Sequence, residues 1–131
     1  MGKPETNYRL SIEKRLPPEL HHEKMANPYS GGTADSYYDG NKADIWVEWK
    51  FQVLPKRATT IVVPDLSSLQ KDWLKGRYEN GRRVFVIVGS PNGAHIFNSP
   101  AEWESGVAVA SWANLSRDQI AQWIVKATMR L

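Results

Sequence analysis

Asp44-Ile45-Trp46-Val47-Glu48-Trp49-Lys50-Phe51 is the stretch on which the fold turns. Its β-branched and aromatic content reads as a strand, extending over residues 44–52. Alternate residues of a strand share a face, so Ile45, Val47, Trp49 and Phe51 point one way and Glu48 and Lys50 the other. The rise of a strand puts Glu48 and Lys50 about 7 Å apart, a carboxylate beside an ammonium group on one surface. Trp46 shares that surface, which sets it apart from a freely solvated row of charges.

Upstream, residues 33–38 read as a second strand, and Asp39-Gly40-Asn41-Lys42 is a turn of the Asp-Gly kind. The two strands form a hairpin that can bring Asp35 close to Glu48. Two facing carboxylates repel unless a cation lies between them. Hard oxygen donors in a partly open site suit Mg²⁺ or Mn²⁺, which keep waters and accept phosphate oxygens. A lysine beside such an ion is placed to position water and stabilise developing negative charge, the chemistry of phosphodiester hydrolysis. The competing readings are ordinary ones: a turn-proximal Asp35 bonded to its own backbone, and a same-face Glu48–Lys50 ion pair.

Around the hairpin, the first helix runs over residues 4–16, with Pro4 in its opening turn, Pro17-Pro18 after it and a stripe of Tyr8, Ile12 and Leu16. Glu5 falls on that inward stripe and Glu13 falls off it, as a solvated residue would. Residues 19–32 read as a polar, turn-rich connection containing His21-His22, read as surface histidines. Residues 58–63 supply a further strand or extended connection. A helix over 67–80 opens with Ser67 and Gln70 in capping-box spacing, and that role alone accounts for Gln70 unless the side chain also reaches the site. The apolar run 84–88 is a buried strand, followed by a short strand near 95–97, a short helix from Ser99 and a last helix from Ser116. The expectation is one domain over 1–131 of mixed α/β (α+β) class, in the order α-β-β-β-α-β with C-terminal helices.

These residues resemble the PD-(D/E)XK nuclease superfamily: a first-helix acid, Asp after Gly31-Gly32-Thr33-Ala34, Glu48-Trp49-Lys50 on the next strand, then Leu66-Ser67-Ser68-Leu69-Gln70 opening a helix. Within it they are similar to small phage and archaeal Holliday-junction resolvases, VRR-NUC domains and endonuclease I-type enzymes, over roughly residues 5–97. The resemblance implies a restriction-endonuclease-like core, a mixed central sheet flanked by helices. It implies metal ligation by Asp35 and Glu48, service to the attacking water by Lys50, a bracing role for Gln70 and Glu5 as the first-helix acid. The chain departs from the pattern in having Ala34 where a Pro is usual, and in its long 51–66 connection. The implied activity is a Mg²⁺- or Mn²⁺-dependent DNA endonuclease selective for branched or Holliday-junction DNA. The alternatives are a sequence-specific homing or restriction endonuclease and a catalytically silent nucleic-acid-binding module. Two cuts at a junction imply a symmetric homodimer, with 107–110 or the final helix as the expected interface.

Composition sets the outer bounds. With no Cys, thiol nucleophiles, disulfides and Cys-ligated metals are excluded. No apolar run approaches a membrane span, and the polar start from Met1 to Glu5 carries no signal-peptide pattern, so a cytoplasmic protein is expected, in the host cell if phage-encoded. The net charge is only +3, but residues 84–131 carry three basic and three acidic groups, so the excess lies entirely in 1–83. Lys56, Arg57, Lys71, Lys75, Arg77, Arg82 and Arg83 are the candidates for contacts to DNA phosphates. The six Trp read mainly as core and site-wall residues, with base stacking by Trp103 and Trp112 the minor reading.

Overall fold

The computed structural model describes residues 3–25 and 31–130. The expected turn at Asn27-Pro28-Tyr29-Ser30 and the terminal Met1-Gly2 lie outside them. Helix α1 (Pro4–Glu13) is followed by strands β1 (His21–Lys24), β2 (Ser36–Asp39), β3 (Asp44–Phe51) and β4 (Ile61–Val62). Helix α2 (Ser68–Glu79), strands β5 (Val84–Gly89) and β6 (His95–Phe97), helix α3 (Pro100–Ser105), strand β7 (Val107–Ala108) and helix α4 (Arg117–Thr128) complete the chain. The main sheet has the order β1-β2-β3-β5-β6, and β4 pairs with β7 in a separate ribbon. Only β3 and β5 run parallel, joined by the crossover through α2; the other pairings are antiparallel. The mixed α+β class with a central mixed sheet between helices therefore holds.

The strand alternation in β3 sorts the core into two layers. Ile45, Val47 and Trp49 face α1 and α4, packing with Tyr8, Ile12, Ile87, Ile120 and Ile124. Val84, Val86 and Val88 of β5 face the opposite way, against Leu74 of α2, Phe97, Trp103 and Trp112. Each large apolar side chain so buried contributes on the order of 1.5–3 kcal/mol. Both α2 and α4 open with a complete capping box, Ser67 with Gln70 and Ser116 with Gln119.

Five local expectations change or are refined. The strand β1 lies within the supposed 19–32 connection: all four of its residues are exposed, so His21–Lys24 offers no alternation to read, and backbone pairing to β2 creates the edge strand. Residues 61–62 join the small ribbon and not the main sheet. Glu13 is not solvated: its side chain is 7% exposed, held 2.7 Å from Arg9 and 2.7 Å from the Tyr38 hydroxyl. Trp103 and Trp112 are core residues at 0% and 4% exposure, closed to base stacking because Trp103 packs edge-on against Tyr78 of α2 and Trp112 packs against His95 and Phe97 of β6. Val107–Ala108 is already paired to β4, so it offers less free edge than an unpaired strand.

Candidate active site

The site forms where β2 ends and β3 continues. The ladder between them stops at Ser36 opposite Val47. One step beyond, the side chain of Asp35 replaces a backbone acceptor: its Oδ2 takes the Trp49 N–H at 3.0 Å. This bond fixes the carboxylate of Asp35 against the strand residue between Glu48 and Lys50. Asp35 is half-buried, and with Glu5, Lys3, Thr6, Arg9 and Lys24 it lines a cavity of about 160 Å³.

Glu48 is on the α2 face of β3, opposite Val86 of β5, and is 1% exposed. Lys50, two residues on, points the same way, and its Nζ stands 3.7 Å from Glu48 Oε2. Gln70 reaches the same oxygen from α2. Its Nε2 donates to Glu48 Oε2 at 3.2 Å while its Oε1 accepts the Ser67 N–H at 3.0 Å, so the capping role and the contact to the site coexist in one side chain. Gly32 makes this approach possible. Its φ is +94°, and a Cβ there would stand 2.2 Å from the Leu69 carbonyl oxygen, so only glycine lets the segment leading to Asp35 lie on the first turn of α2.

The electrostatics of Glu48 are unbalanced. Its carboxyl is pushed up to about 9, first by burial and then by the charge of Asp35; Lys50 pulls it down, and a hydrogen bond to Asp35 and the charge of Glu5 raise it further. That bond to Asp35 requires a protonated carboxyl; once Glu48 is ionised, its Oε1 is buried with no hydrogen-bond partner. A buried carboxylate oxygen without a partner, beside a second carboxylate, is the donor set a hard divalent cation satisfies. Among the described residues no three His, Asp or Glu side chains converge on one point, but Mg²⁺ is commonly held by one or two carboxylates with waters and phosphate oxygens completing its shell. Asp35 and Glu48 fit that requirement.

The structure thus brings together Asp35, Glu48, Lys50 and Gln70, with Glu5 on the cavity that Asp35 also lines. The basic candidates are dispersed. Lys56 and Arg57 are exposed after β3, and Lys71 and Lys75 are exposed along α2. Arg77 stacks on Trp73 with its guanidinium carbon 5.9 Å from the ring centre. Arg82 and Arg83 precede β5, about 10–13 Å along the strand from the position opposite Glu48. Arg83 donates to the Ala127 carbonyl at 2.7 Å, a bond that ties it to the end of α4. Sequence reading missed Arg9 and Lys24 on the cavity wall. Arg9 stands four residues after Glu5 on α1, a spacing that reveals a shared face; Lys24 belongs to the illegible edge strand.

No family model matches the chain, and no curated protein matches it. The fold is similar to that of Hjc, a Holliday junction resolvase from the archaeal hyperthermophile Archaeoglobus fulgidus, with a TM-score of 0.54 at 13% sequence identity, over 89% of this chain and 96% of that one. The shared architecture spans nearly the whole of both chains.

Proposed function

We propose that the protein is a metal-dependent DNA endonuclease of PD-(D/E)XK type, selective for branched DNA such as the four-way junction. The observation that carries the reading is the buried, unpartnered Glu48 Oε1 set against Asp35 and flanked by Lys50 and Gln70. The likeness in fold to an archaeal junction resolvase supports the same reading.

In this reading Asp35 and Glu48 hold a Mg²⁺ or Mn²⁺ ion. When bound, the ion activates water and neutralises phosphate charge. Asp35 is oriented by the Trp49 amide, and Glu48 by the Gln70 side chain, so neither carboxylate has to reorganise on binding. Lys50, 14% exposed, keeps its ammonium group beside the carboxylates with one side open, where it stabilises charge developing on a phosphate oxygen. Glu5 adds negative charge at the cavity mouth, favouring cation occupancy. Exposed Lys71 and Lys75 on α2 contact backbone phosphates without reading bases. Paired cuts across a junction call for a homodimer.

The test is incubation of the protein with supercoiled, linear and four-way-junction DNA in Mg²⁺, Mn²⁺ or EDTA, alongside Lys50→Ala. Metal-dependent junction cleavage lost in the variant supports the reading. Absence of cleavage on every substrate sinks it, and a single cut at one site in linear duplex replaces it with a sequence-specific enzyme.

A further inference from the structure

A second polar cavity, of about 330 Å³, opens at the C-terminal end of β5, bounded by Tyr8, Arg15, the turn at Ser90 and Asn92, and the first turn of α4 at Arg117 and Asp118. Three features give it a common chemistry. The first is the helix end itself. The capping box uses the amides of Ser116 and Gln119, which leaves those of Arg117 and Asp118 facing outward at the positive end of a twelve-residue helix.

The second is Tyr8. The residue is 3% exposed and its hydroxyl is buried with no hydrogen-bond partner. The tip of its ring lies on Gly89, where a Cβ would come within 2.9 Å of Cζ, directly before the 90–93 turn, and Tyr8 and that turn both line the cavity. Burial pushes the phenol up to about 12, against the lowering effect of Arg117, so it remains a proton donor. An orphaned buried donor is a cost of about 1–3 kcal/mol that a ligand acceptor removes.

The third is a pair of arginines braced by one residue. Ser11 accepts from Arg117 through Oγ at 2.6 Å and from Arg15 through its carbonyl oxygen, while its own hydroxyl donates to the Tyr8 carbonyl. Arg15 also donates through Nε to Asp118 at 2.8 Å, and that exposed carboxylate is thereby neutralised. Among the described residues Arg117 has no carboxylate partner; its guanidinium carbon lies 5.1 Å over the Tyr8 ring, with its remaining donors unused.

We infer that this cavity is a phosphate-binding site, formed by the first-turn amides of α4, the Tyr8 hydroxyl and Arg117, and that it holds a backbone phosphate of the bound nucleic acid. The use of a nucleic-acid phosphate rests on the nuclease reading; the anion site does not. Ser11, which braces the arginines, is about 9 Å along α1 from Glu5, near enough for one strand to engage both places.

The experiment is done in EDTA, so that binding is read without hydrolysis. Inorganic phosphate is titrated while the backbone amide shifts of Arg117 and Asp118 are followed, and a labelled DNA duplex is titrated by fluorescence anisotropy, alone and against phosphate. Phosphate is expected to shift both amides and to compete with duplex. Arg117→Gln is expected to weaken duplex binding by at least about five-fold and to reduce the magnitude of its log–log salt slope by about 0.9. Lys126→Gln, removing one charge at the other end of α4, is the comparison. Tyr8→Phe is expected to weaken binding about three-fold while leaving Tm unchanged or higher, because it removes only the orphaned hydroxyl. Equal behaviour of Arg117→Gln and Lys126→Gln overturns the site, as does a Tyr8→Phe variant with lowered Tm and unaltered binding. Phosphate binding that duplex does not displace overturns the backbone assignment. Intact binding with no cleavage of any DNA sinks the nuclease reading and leaves the site standing.

Discussion

Glu13 and Glu48 both have buried side chains, and they are buried differently. Glu13 has everything a buried carboxylate needs: the Arg9 guanidinium at 2.7 Å and the Tyr38 hydroxyl at 2.7 Å, with both members of the ion pair under 10% exposed. Glu48 has a lysine at 3.7 Å, an amide at 3.2 Å, a like charge from Asp35 and one oxygen with no partner. The first pattern is that of a residue serving the fold. The second costs the metal-free protein stability, and under the proposed function a bound cation would relieve that cost. Burial alone therefore does not mark function; the satisfaction of the buried group does.

That contrast is open to direct attack. The largest effect belongs to the open site: Glu48→Gln and Lys50→Ala should each lower junction cleavage by roughly 10²–10³ or more, measured at saturating Mg²⁺. Glu48→Gln should also leave the metal-free protein as stable as wild type or more so as pH rises, by chemical denaturation, since an amide cannot take on the buried charge that the carboxyl acquires. Glu13→Gln should do the reverse, losing about 3 kcal/mol in the same denaturation experiment because Arg9 is left buried and unpaired, while the folded fraction still cleaves.

The pH dependence sharpens the difference. Glu48 titrates near 4.5 when unfolded and is pushed up to about 9 when folded, so between those values the folded state holds more protons. Its contribution to stability is complete below about 4.5 and lost as pH rises through about 9. Metal-free wild type should thus lose stability across that window relative to Glu48→Gln. At pH 7, Mg²⁺ binding should release about one proton, read by calorimetry in buffers of different ionisation enthalpy. The smallest effect is that of Gln70→Ala, which should cost about 1 kcal/mol as half of a capping box and reduce cleavage less than Lys50→Ala does.

Much of this was legible in the linear chain because local rules and tertiary packing agree there. The period-2 pattern of residues 44–51 set the two faces of β3, and the Ser67/Gln70 and Ser116/Gln119 spacings located two helix starts to within a residue. Gln70 shows the limit of such reading: spacing gave its cap, and only the fold showed that the same side chain reaches Glu48. The exposed His21–Lys24 edge strand carries no alternation, since its order comes chiefly from hydrogen bonds to β2. Glu13 lies off the apolar stripe of α1, and its burial depends on Tyr38, 25 residues away. The α4 cavity was invisible for the same reason. Tyr8 and Ser11 lie more than 100 residues of chain from Arg117, and an unpartnered hydroxyl has no sequence signature.

The central claim is that the Asp35–Glu48–Lys50 cluster hydrolyses DNA and that the Arg9–Glu13–Tyr38 cluster only holds the fold. The most direct measurement is the initial rate of four-way-junction cleavage in Mg²⁺ for wild type, Glu48→Gln and Glu13→Gln, well below each protein's Tm. Cleavage by wild type and Glu13→Gln, with none detectable from Glu48→Gln, is the predicted result. Wild-type rates from Glu48→Gln, or an inert wild-type protein, would contradict it.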